Sequence, residues 1–213
     1  KDGNYPLLQA VKNRSLDMVE VLLKNRANPN LVDKLKRNSI HWAINNSNAD
    51  ADASNEIENT LLSSGADLNA VDLRGRTALH YAFVKIGDPL NSSMIDPIET
   101  VSNIISRPNV NINVKDRWGN TPLNYAAQRG SVVSAIFLIQ NKAIIDNVND
   151  EGNTPLCESL IQGHQNMCIT LLQEKADVKR QVKLKTREQK ENKQTKNQHV
   201  TAKKKEERNK KSC

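Results

Sequence analysis

Histidine and cysteine are the side chains in this sequence that could hold a metal ion or act as a nucleophile. The histidines are His41, His80, His164 and His199, and the cysteines are Cys157, Cys168 and Cys213. Cys157, His164 and Cys168 lie within twelve residues, but their spacing matches no zinc-site pattern. A nucleophilic Cys157 would need a base and an orienting partner, and the sequence identifies neither. We therefore expect no metal site and no cofactor.

Glycine-rich phosphate loops and hydrolase motifs are also missing from the sequence. It contains no GxxxxGK or GxGxxG loop, which would cradle phosphates, and no GxSxG segment, which would carry a nucleophilic serine. Four aspartates recur in polar segments, where we expect them to shape turns: Asp33, Asp72, Asp116 and Asp150. The sequence therefore predicts no catalysis in this chain.

The 213-residue chain contains two regions of opposite charge. Its 31 Lys and Arg and 24 Asp and Glu give a net charge of +7, but residues 178–213 hold 14 of the basic and four of the acidic side chains. That segment therefore carries +10, and residues 1–177 carry −3. No run of 18 apolar residues occurs, so the sequence predicts no membrane span. The two regions need separate interpretations.

The termini and the cysteine count indicate the setting of the protein. Three cysteines form an odd set, unlike the dense even sets of small secreted domains, so we expect reduced thiols in an intracellular protein, nuclear or cytoplasmic. The first residue is Lys1 rather than Met, and we expect the chain to be a fragment of a longer protein.

One short phrase recurs along the chain. It reads GRTALHYA at 75–82, GNTPLNYAA at 119–127 and GNTPLC at 152–157, with degraded copies GNYPLLQA at 3–10 and NSIHWA at 38–43. The marker position of the phrase falls at 5, 38, 77, 121 and 154, so the spacings are 33, 39, 44 and 33. A constant period with insertions is typical of a repeat architecture.

Each copy is followed by a second apolar run and then by a polar stretch. The run at 132–139, for example, places apolar residues at the i, i+3, i+4 spacing of a helix with one buried face. Thr121 and Thr154 precede a proline, as N-cap residues do, and Pro122 and Pro155 then occupy the first helical position. Each unit is therefore predicted to be a pair of helices with a turn between units.

This pattern resembles the ankyrin repeat over residues 2–178. The resemblance implies an all-α fold, an ankyrin-repeat solenoid of about five helix-turn-helix units, in which each pair buries its apolar face against its neighbours. The predicted units are 2–32, 33–71, 72–115, 116–149 and 150–178, followed by a disordered basic tail at 179–213. Insertions are expected around 48–55 and 87–97, as surface loops.

Several positions depart from the family pattern. The histidine of the phrase, which in this family ties neighbouring repeats together, is kept at His41 and His80, and we expect weaker junctions where it is replaced by Leu8, Asn124 and Cys157. Arg26 and Lys142 stand where a helix-ending glycine is usual, which predicts tilted or frayed helix ends. Lys36 replaces the turn glycine of the second unit, so that turn should be the least regular.

The resemblance also implies a function, which is to bind another protein on the concave surface of inter-unit turns, called fingertips, and inner helices. The residues we expect to make this contact are Lys36, Arg37, Arg74, Arg76, Arg117, Trp118, Asn120, Glu151 and Asn153. Trp118 beside Arg117 has the composition of an interface anchor, although it could instead pack against the neighbouring fingertip. The identity of the partner does not follow from the fold.

A narrower resemblance concerns the amino-acid sequence around the larger insertion. The segments 81–88, 95–100 and 116–120 are similar to the ankyrin regions of some multidomain poly(ADP-ribose) polymerases. In that family the array precedes a catalytic ADP-ribosyltransferase domain. The alternative function is therefore that of a recognition segment whose catalytic domain lies outside this chain.

The basic tail offers a third interpretation. Its clusters resemble a nuclear-localisation signal or a nucleic-acid contact, formed by Lys203, Lys204, Lys205, Arg208, Lys210 and Lys211. No aromatic residue occurs in the tail, so base stacking is excluded and any such binding would be independent of sequence. A solvated tail without a specific partner is the simpler alternative.

Overall fold

The computed structural model describes residues 5–46, 51–84 and 96–179, and for 51–54 the backbone only. Within these ranges every regular element is a helix, and the predicted all-α fold is confirmed. The helices are α1 (Pro6–Lys12), α2 (Leu16–Lys24), α3 (Ser39–Asn45), α4 (Ala51–Ser63), α5 (Ala78–Tyr81), α6 (Ile98–Ile105), α7 (Pro122–Arg129), α8 (Val132–Gln140), α9 (Pro155–Ile161) and α10 (Gln165–Gln173). No helix in the described ranges is long and apolar enough to cross a membrane.

The chain divides into two compact units, Lys1–Ala176 and Asp177–Cys213. Nearly all of the predicted tail lies outside the described residues, as do most of the larger insertion and part of the smaller one. The unit Lys1–Ala176 contains the ten helices named above and the turns between them.

The helices pack as five consecutive pairs, from α1 with α2 to α9 with α10. The first helices contact one another in chain order, α1 with α3, α3 with α5, α5 with α7 and α7 with α9. Among the second helices, α2 contacts α4, and α8 contacts both α6 and α10. This order is that of a repeat stack, in which each pair covers the apolar face of the next.

The core is one continuous apolar cluster that runs through all five pairs. The small residues Ala126 and Ala127 on α7 are fully buried and allow close approach between helices. Each second helix contributes at least one almost fully buried aliphatic residue or methionine: Val19, Leu61, Ile104, Leu138 and, both on α10, Met167 and Leu171. Since burial of such a side chain stabilises a fold by about 2 kcal/mol, this shared core holds the stack together.

The helix ends at Arg26 and Lys142 are regular, so the expectation of tilted or frayed ends is wrong. Arg26 (φ 62°) and Lys142 (φ 73°) adopt the left-handed conformation that Gly65 (φ 82°) adopts at the end of α4. The Arg26 N–H donates to Leu23 O at 2.9 Å, and the Gly65 N–H donates to Leu62 O at 3.1 Å. The left-handed conformation costs a non-glycine residue about 1 kcal/mol, which the cap hydrogen bonds offset.

The turn at Lys36 is also regular, and the prediction that it would be the least regular turn is wrong. Lys36 has a φ of 58°, and its N–H donates to Asp33 O at 2.9 Å. Gly75 makes the same bond to Asp72 O at 3.0 Å in the next turn. The hydrogen bonds of the turn therefore impose the left-handed conformation on a lysine.

The two histidines of the repeat phrase join neighbouring units. His80 Nδ1 accepts the Thr77 N–H at 3.1 Å, so the hydrogen is on Nε2, which donates to Asn120 O at 3.2 Å in the next unit. His41 Nε2 lies 3.1 Å from Arg76 O in the same arrangement. Burial lowers the pKa of His80 to about 4, so the ring is neutral near pH 7 and keeps this pattern of donor and acceptor.

Asn124 occupies the histidine position of the fourth unit, and its junction keeps side-chain hydrogen bonds. Asn147, which precedes the next turn, donates through Nδ2 to Asn124 Oδ1 at 2.8 Å and to Gly119 O at 2.9 Å. The replacement therefore does not remove hydrogen bonding from this junction. The weaker junctions expected at Leu8 and Cys157 stay predictions.

A second set of polar contacts joins the segments that follow the second helices. Asn69 donates through Nδ2 to Asn109 O at 2.7 Å, and its Oδ1 accepts the Asn111 N–H at 2.9 Å. The same pair of bonds is made by Asn30 with Gly65 O and the Asp67 N–H, and by Asn113 with Lys142 O and the Ile144 N–H. At three of the four junctions one asparagine thus fixes two backbone groups of the next unit.

The end of the larger insertion is fixed to the fourth unit. Asp96 accepts the Val133 N–H at 2.9 Å and the Ser134 N–H at 3.2 Å, both at the start of α8. A carboxylate is favourable there because the first N–H groups of a helix have no partners within the helix. Asp96 therefore caps a helix from the preceding unit.

Glu58 on α4 is a buried acid that the sequence analysis did not identify. Its side chain is almost fully buried, and its Oε1 has no hydrogen-bond partner among the described residues. Burial raises the pKa of this carboxyl to about 7. Below pH 4.5 the group is protonated in the folded and the unfolded chain alike, whereas above pH 7 the folded chain must bury a charge, so stability falls as pH rises between these values.

We therefore expect Glu58→Gln to stabilise the protein in a pH-dependent way. The free energy of unfolding should rise by up to about 3 kcal/mol at pH 8 and change little at pH 5, because glutamine is neutral at both. Urea unfolding followed by circular dichroism at the two pH values measures the difference. An equal change at both pH values would contradict the burial of an ionisable acid at this position.

Candidate functional site

Four five-residue fingertip turns, at 33–37, 72–76, 116–120 and 149–153, form the candidate binding surface. In each turn the N–H of the first residue donates to the carbonyl oxygen of the fifth, over 2.9–3.0 Å. We call these four turns the fingertip surface. The shared hydrogen bond gives the turns one backbone geometry, so the side chains at equivalent positions can be compared directly.

The side chain of the first residue organises each turn. Asp72 Oδ1 accepts the backbone N–H of Arg74 at 2.7 Å and that of Arg76 at 2.9 Å. In the last turn Asn149 accepts the N–H of Glu151 at 3.1 Å and that of Asn153 at 2.9 Å. The expectation that Asp150 would organise this turn is wrong, because the position one residue earlier carries the contacts.

The same first residue also contacts the helix that follows, nine residues later. Asp72 Oδ2 accepts the Tyr81 hydroxyl at 2.9 Å, and Asp116 Oδ2 accepts the Tyr125 hydroxyl at 2.6 Å. In the other two turns Trp42 Nε1 donates to Asp33 Oδ2 at 3.1 Å, and Asn149 Nδ2 donates to Glu158 Oε1 at 2.8 Å. The nine-residue spacing is visible in the sequence and could have identified these pairs.

Backbone hydrogen bonds join neighbouring turns into one surface. The Arg117 N–H donates to Arg74 O at 2.8 Å. The equivalent bonds run from the Leu73 N–H to Leu35 O at 2.9 Å and from the Asp150 N–H to Trp118 O at 2.9 Å. All four turns are therefore held in a continuous row.

The nine residues predicted to bind a partner fall into three groups by exposure. The exposed residues are Lys36, Arg74, Arg117, Trp118 and Glu151, the half-buried ones are Arg37 and Asn153, and the buried ones are Arg76 and Asn120. The prediction for Arg76 and Asn120 needs correction, because buried side chains are not available to a partner.

Arg76 is enclosed by its own turn and the helix behind it. Its guanidinium pairs with Asp72 at 2.7 Å and lies 4.8 Å from the centre of the Tyr81 ring. Burial opposes ionisation of Asp72, but hydrogen bonds from Arg76 and Tyr81 outweigh burial and hold the pKa of its carboxyl below the usual value. Arg37 repeats the arrangement with Asp33 and lies 4.0 Å from the Trp42 ring. These arginines stabilise the turns.

Asn120 is buried at the junction between the last two turns. Its Oδ1 accepts Asn149 Nδ2 at 2.8 Å. Asn149 in turn bonds to Glu158, so the three side chains form one polar chain. Asn120 therefore fixes the relative position of two turns and does not reach the surface.

Trp118 is both partly exposed and in contact with the neighbouring turn, which were the two alternatives that the sequence left open. Its side chain is 39% exposed, and two guanidinium groups lie within 6 Å of its ring centre. Arg117 lies 5.0 Å from the ring centre, and Arg74, from the neighbouring turn, lies 5.8 Å from it. The indole thus packs beside the neighbouring turn while keeping an exposed face next to two cations.

Two exposed leucines extend this apolar surface and were missed by the sequence analysis. Leu35, the third residue of its turn, is 48% exposed, and Leu73, the second residue of its turn, is 53% exposed. A hydrophobic residue inside a polar turn was the available signal. Together with Trp118 they give three successive turns an exposed apolar side chain.

Charge is distributed unevenly along the fingertip surface. The first three turns expose Lys36, Arg74 and Arg117, whereas the last exposes Asp150 and Glu151. In the first three turns the aspartates are held within the fold, so the surface there is cationic.

The candidate metal ligands and nucleophile are engaged in packing. Cys157 and Cys168 are buried, with hydrogen-bond distances of 3.1 Å to Thr154 Oγ1 and Ser159 Oγ respectively. His164 Nε2 lies 3.0 Å from Gln128 O. Within the described ranges, no three His, Cys, Asp or Glu side chains form a group that could hold a metal ion. The tail cluster 203–211 and His199 lie outside the described residues.

Comparison with known proteins agrees with the repeat geometry. A family model described as ankyrin repeats, in three copies, matches residues 7–89 and 92–182. The chain is 41% identical over 125 residues to the poly(ADP-ribose) polymerase tankyrase of Caenorhabditis elegans, a match that covers 55% of this chain and 5% of that protein.

Two further relatives match most of the chain. The putative palmitoyltransferase ZDHHC13 of Danio rerio is 29% identical over 171 residues, which cover 80% of this chain and 24% of that protein. A putative ankyrin repeat protein of Fowlpox virus is 25% identical over 178 residues, which cover 73% of this chain and 92% of that protein. The chain thus spans a quarter or less of the tankyrase and of the zebrafish relative.

Arg74 and Arg76 form a matched pair for testing the turn. Arg76→Ala should lower the free energy of unfolding by about 3 kcal/mol, because it leaves the buried Asp72 carboxylate without its cation. Arg74→Ala should change stability by less than about 0.5 kcal/mol, because its side chain is exposed. Thermal and urea unfolding of both variants measure the difference, and similar losses in the two would contradict the assignment.

Proposed function

Because the chain belongs to the ankyrin-repeat family, we propose that it is a protein-interaction scaffold whose fingertip surface binds another protein. The observation that carries this proposal is the exposure of Trp118 close to two arginines, together with the exposed Leu73 and Leu35 on the two preceding turns. Aromatic and arginine side chains are enriched among residues that dominate binding energy at interfaces.

The construction of the turns supports this proposal. The hydrogen bonds within and between turns fix the backbone before a partner arrives, so binding orders side chains only. Ordering fewer groups on association costs less conformational entropy, which favours affinity. A rigid row of turns with exposed side chains is thus suited to recognition.

The proposal assigns binding to this chain and no chemical step. The buried Cys157 and Cys168 are placed as packing residues, and His164 contacts a backbone carbonyl. The aspartates at the start of the turns hold the turns and the following helices. Each of the side chains considered for chemistry within the described ranges thus has a structural role.

The triple variant Arg74→Ala, Arg117→Ala, Trp118→Ala tests the proposal. We expect it to lose the proteins that the parent chain captures from cell extract, while its far-ultraviolet circular dichroism stays the same. The reason is that all three side chains are exposed and none holds the turn together. Affinity capture followed by mass spectrometry measures the loss.

A control variant changes three exposed residues on the second helices. Lys24→Ala, Val133→Ala, Ile169→Ala removes one cation and two apolar side chains that lie away from the turns. This variant should retain the captured proteins. Unchanged capture by the fingertip variant, or equal loss in both variants, would rule out the fingertip surface as the binding site.

A second candidate function concerns a longer protein of which this chain would be a part. The identity to the worm tankyrase supports the proposal that the chain is the recognition segment of an ADP-ribosyltransferase. Sequencing the transcript on both sides of the chain tests it. We expect a catalytic domain in the same reading frame, and a complete reading frame without one would contradict the proposal. A nuclear or nucleic-acid role of the tail stays a sequence-based prediction.

A further inference from the structure

The fingertip surface has the chemistry to select one class of partner. We propose that it binds an extended, acidic segment of another protein, with side chains at every third residue contacting successive turns. This inference rests on the proposed function and deepens it, because it names the partner's chemistry. Spacing, charge and exposed apolar area each support it.

The hydrogen bonds of the turns define a spacing along the surface. A bond within the turn, from the Asp72 N–H to Arg76 O, alternates with a bond between turns, from the Arg117 N–H to Arg74 O. Each turn therefore contributes two hydrogen-bonded chain segments to the row. Since such segments lie about 4.8 Å apart, one turn repeats every ~9.6 Å.

Close contact between turns agrees with this spacing. A Cβ atom added to Gly75 would lie 3.2 Å from Arg117 N and from Asp116 Cα, so the two turns are in direct contact there. Gly75 has a φ of 75°, which also favours glycine. The row therefore has no gap into which a ligand residue could insert between these turns.

An extended chain matches this repeat with three residues. It advances by about 3.1–3.3 Å per residue, so three residues span the distance from one turn to the next. A polyproline II segment also returns to the same face after three residues. Side chains at i, i+3 and i+6 of such a segment would therefore contact three successive turns.

The charge of the first three turns favours carboxylates. Lys36, Arg74 and Arg117 are exposed, whereas Asp33 and Asp72 pair with buried or half-buried arginines of their own turns. The surface cations are therefore not neutralised by these acids. Asp150 and Glu151 follow in the last turn and would repel an anion there, which predicts that the acidic part of the partner covers only the first three turns.

The exposed apolar side chains favour a peptide over a nucleic acid. Leu35, Leu73 and Trp118 lie among the cations and are each more than a third exposed. Aliphatic side chains of a peptide can cover them, whereas a phosphate backbone leaves the leucines exposed to water. The basic segment 179–213 of this chain has the wrong sign of charge for these turns. An acidic segment of a different protein therefore fits best.

The test uses fluorescein-labelled dodecapeptides and the full chain. In the probe peptide every third position is Glu or Leu, the two in alternation along the chain. All other positions are Ser or Pro. A second peptide has the same composition with Glu and Leu in one block, and a third has Lys in place of Glu. We expect fluorescence anisotropy to show that the probe binds at least tenfold more tightly than either control, and more weakly as salt rises.

Two variants separate the turns from the basic tail. Arg74→Ala with Arg117→Ala should weaken binding of the probe at least tenfold. Lys24→Ala with Lys175→Ala, which removes the same charge from exposed sites outside the turns, should change it less than twofold. Because both variants keep residues 179–213, the difference between them reports the turns alone.

Trp118 provides a signal at the site itself. Binding of an unlabelled probe should shift the indole emission to shorter wavelength, because the exposed ring becomes covered. The shift should be absent in Trp118→Phe, which leaves Trp42 as the remaining tryptophan. The comparison with Trp118→Phe therefore assigns the shift to the ring in the third turn.

Several results would contradict this inference. Equal binding of the block peptide would overturn the three-residue spacing, and equal binding by the two double variants would overturn the site. Tighter binding of oligothymidine, of the lysine peptide or of a peptide of residues 179–213, with the same Trp118 shift, would overturn the partner class. If these results occur while the triple variant still loses captured proteins, the proposed function stands and this inference alone fails.

Discussion

The buried acid or amide at the start of each fingertip turn is the interaction on which the surface depends. Through one oxygen, Asp72 holds two backbone N–H groups of its turn, and through the other it accepts Arg76 and the Tyr81 hydroxyl on the next helix. A single side chain thus sets the turn backbone and fixes it to a helix. The repetition of this arrangement in four turns gives the exposed side chains a common orientation.

The units are joined by polar contacts on both sides of a continuous apolar core. Backbone hydrogen bonds join the turns, histidines such as His80 join first helices to the next turn, and asparagines such as Asn69 join the segments after the second helices. Nonspecific burial alone would allow neighbouring pairs to slide, whereas these directional bonds fix one register. The rigidity of the fingertip surface therefore depends on contacts far from it.

Departures from the repeat pattern were misjudged where the surroundings compensate for the residue. Arg26, Lys36 and Lys142 replace glycines, and a sequence rule predicts irregular backbone at each. The structure keeps the left-handed conformation at all three, because the backbone N–H of each residue donates to the carbonyl oxygen three residues earlier, whatever its side chain. At Asn124 a side-chain hydrogen bond comes from Asn147, which lies 23 residues later, while Asn124 Nδ2 has no partner among the described residues. The backbone bonds at the three left-handed residues are local, whereas the contact at Asn124 depends on a residue that is distant in the sequence.

The sequence by itself determined the five helix pairs, their order and the places of the turns, since period and apolar spacing are local properties that each unit repeats. It could not determine which turn residues are exposed. Arg74 and Arg76 are two residues apart and of the same type, yet one is exposed and the other is buried against Tyr81. Only the tertiary structure decided between them, because burial depends on the helix packed behind the turn.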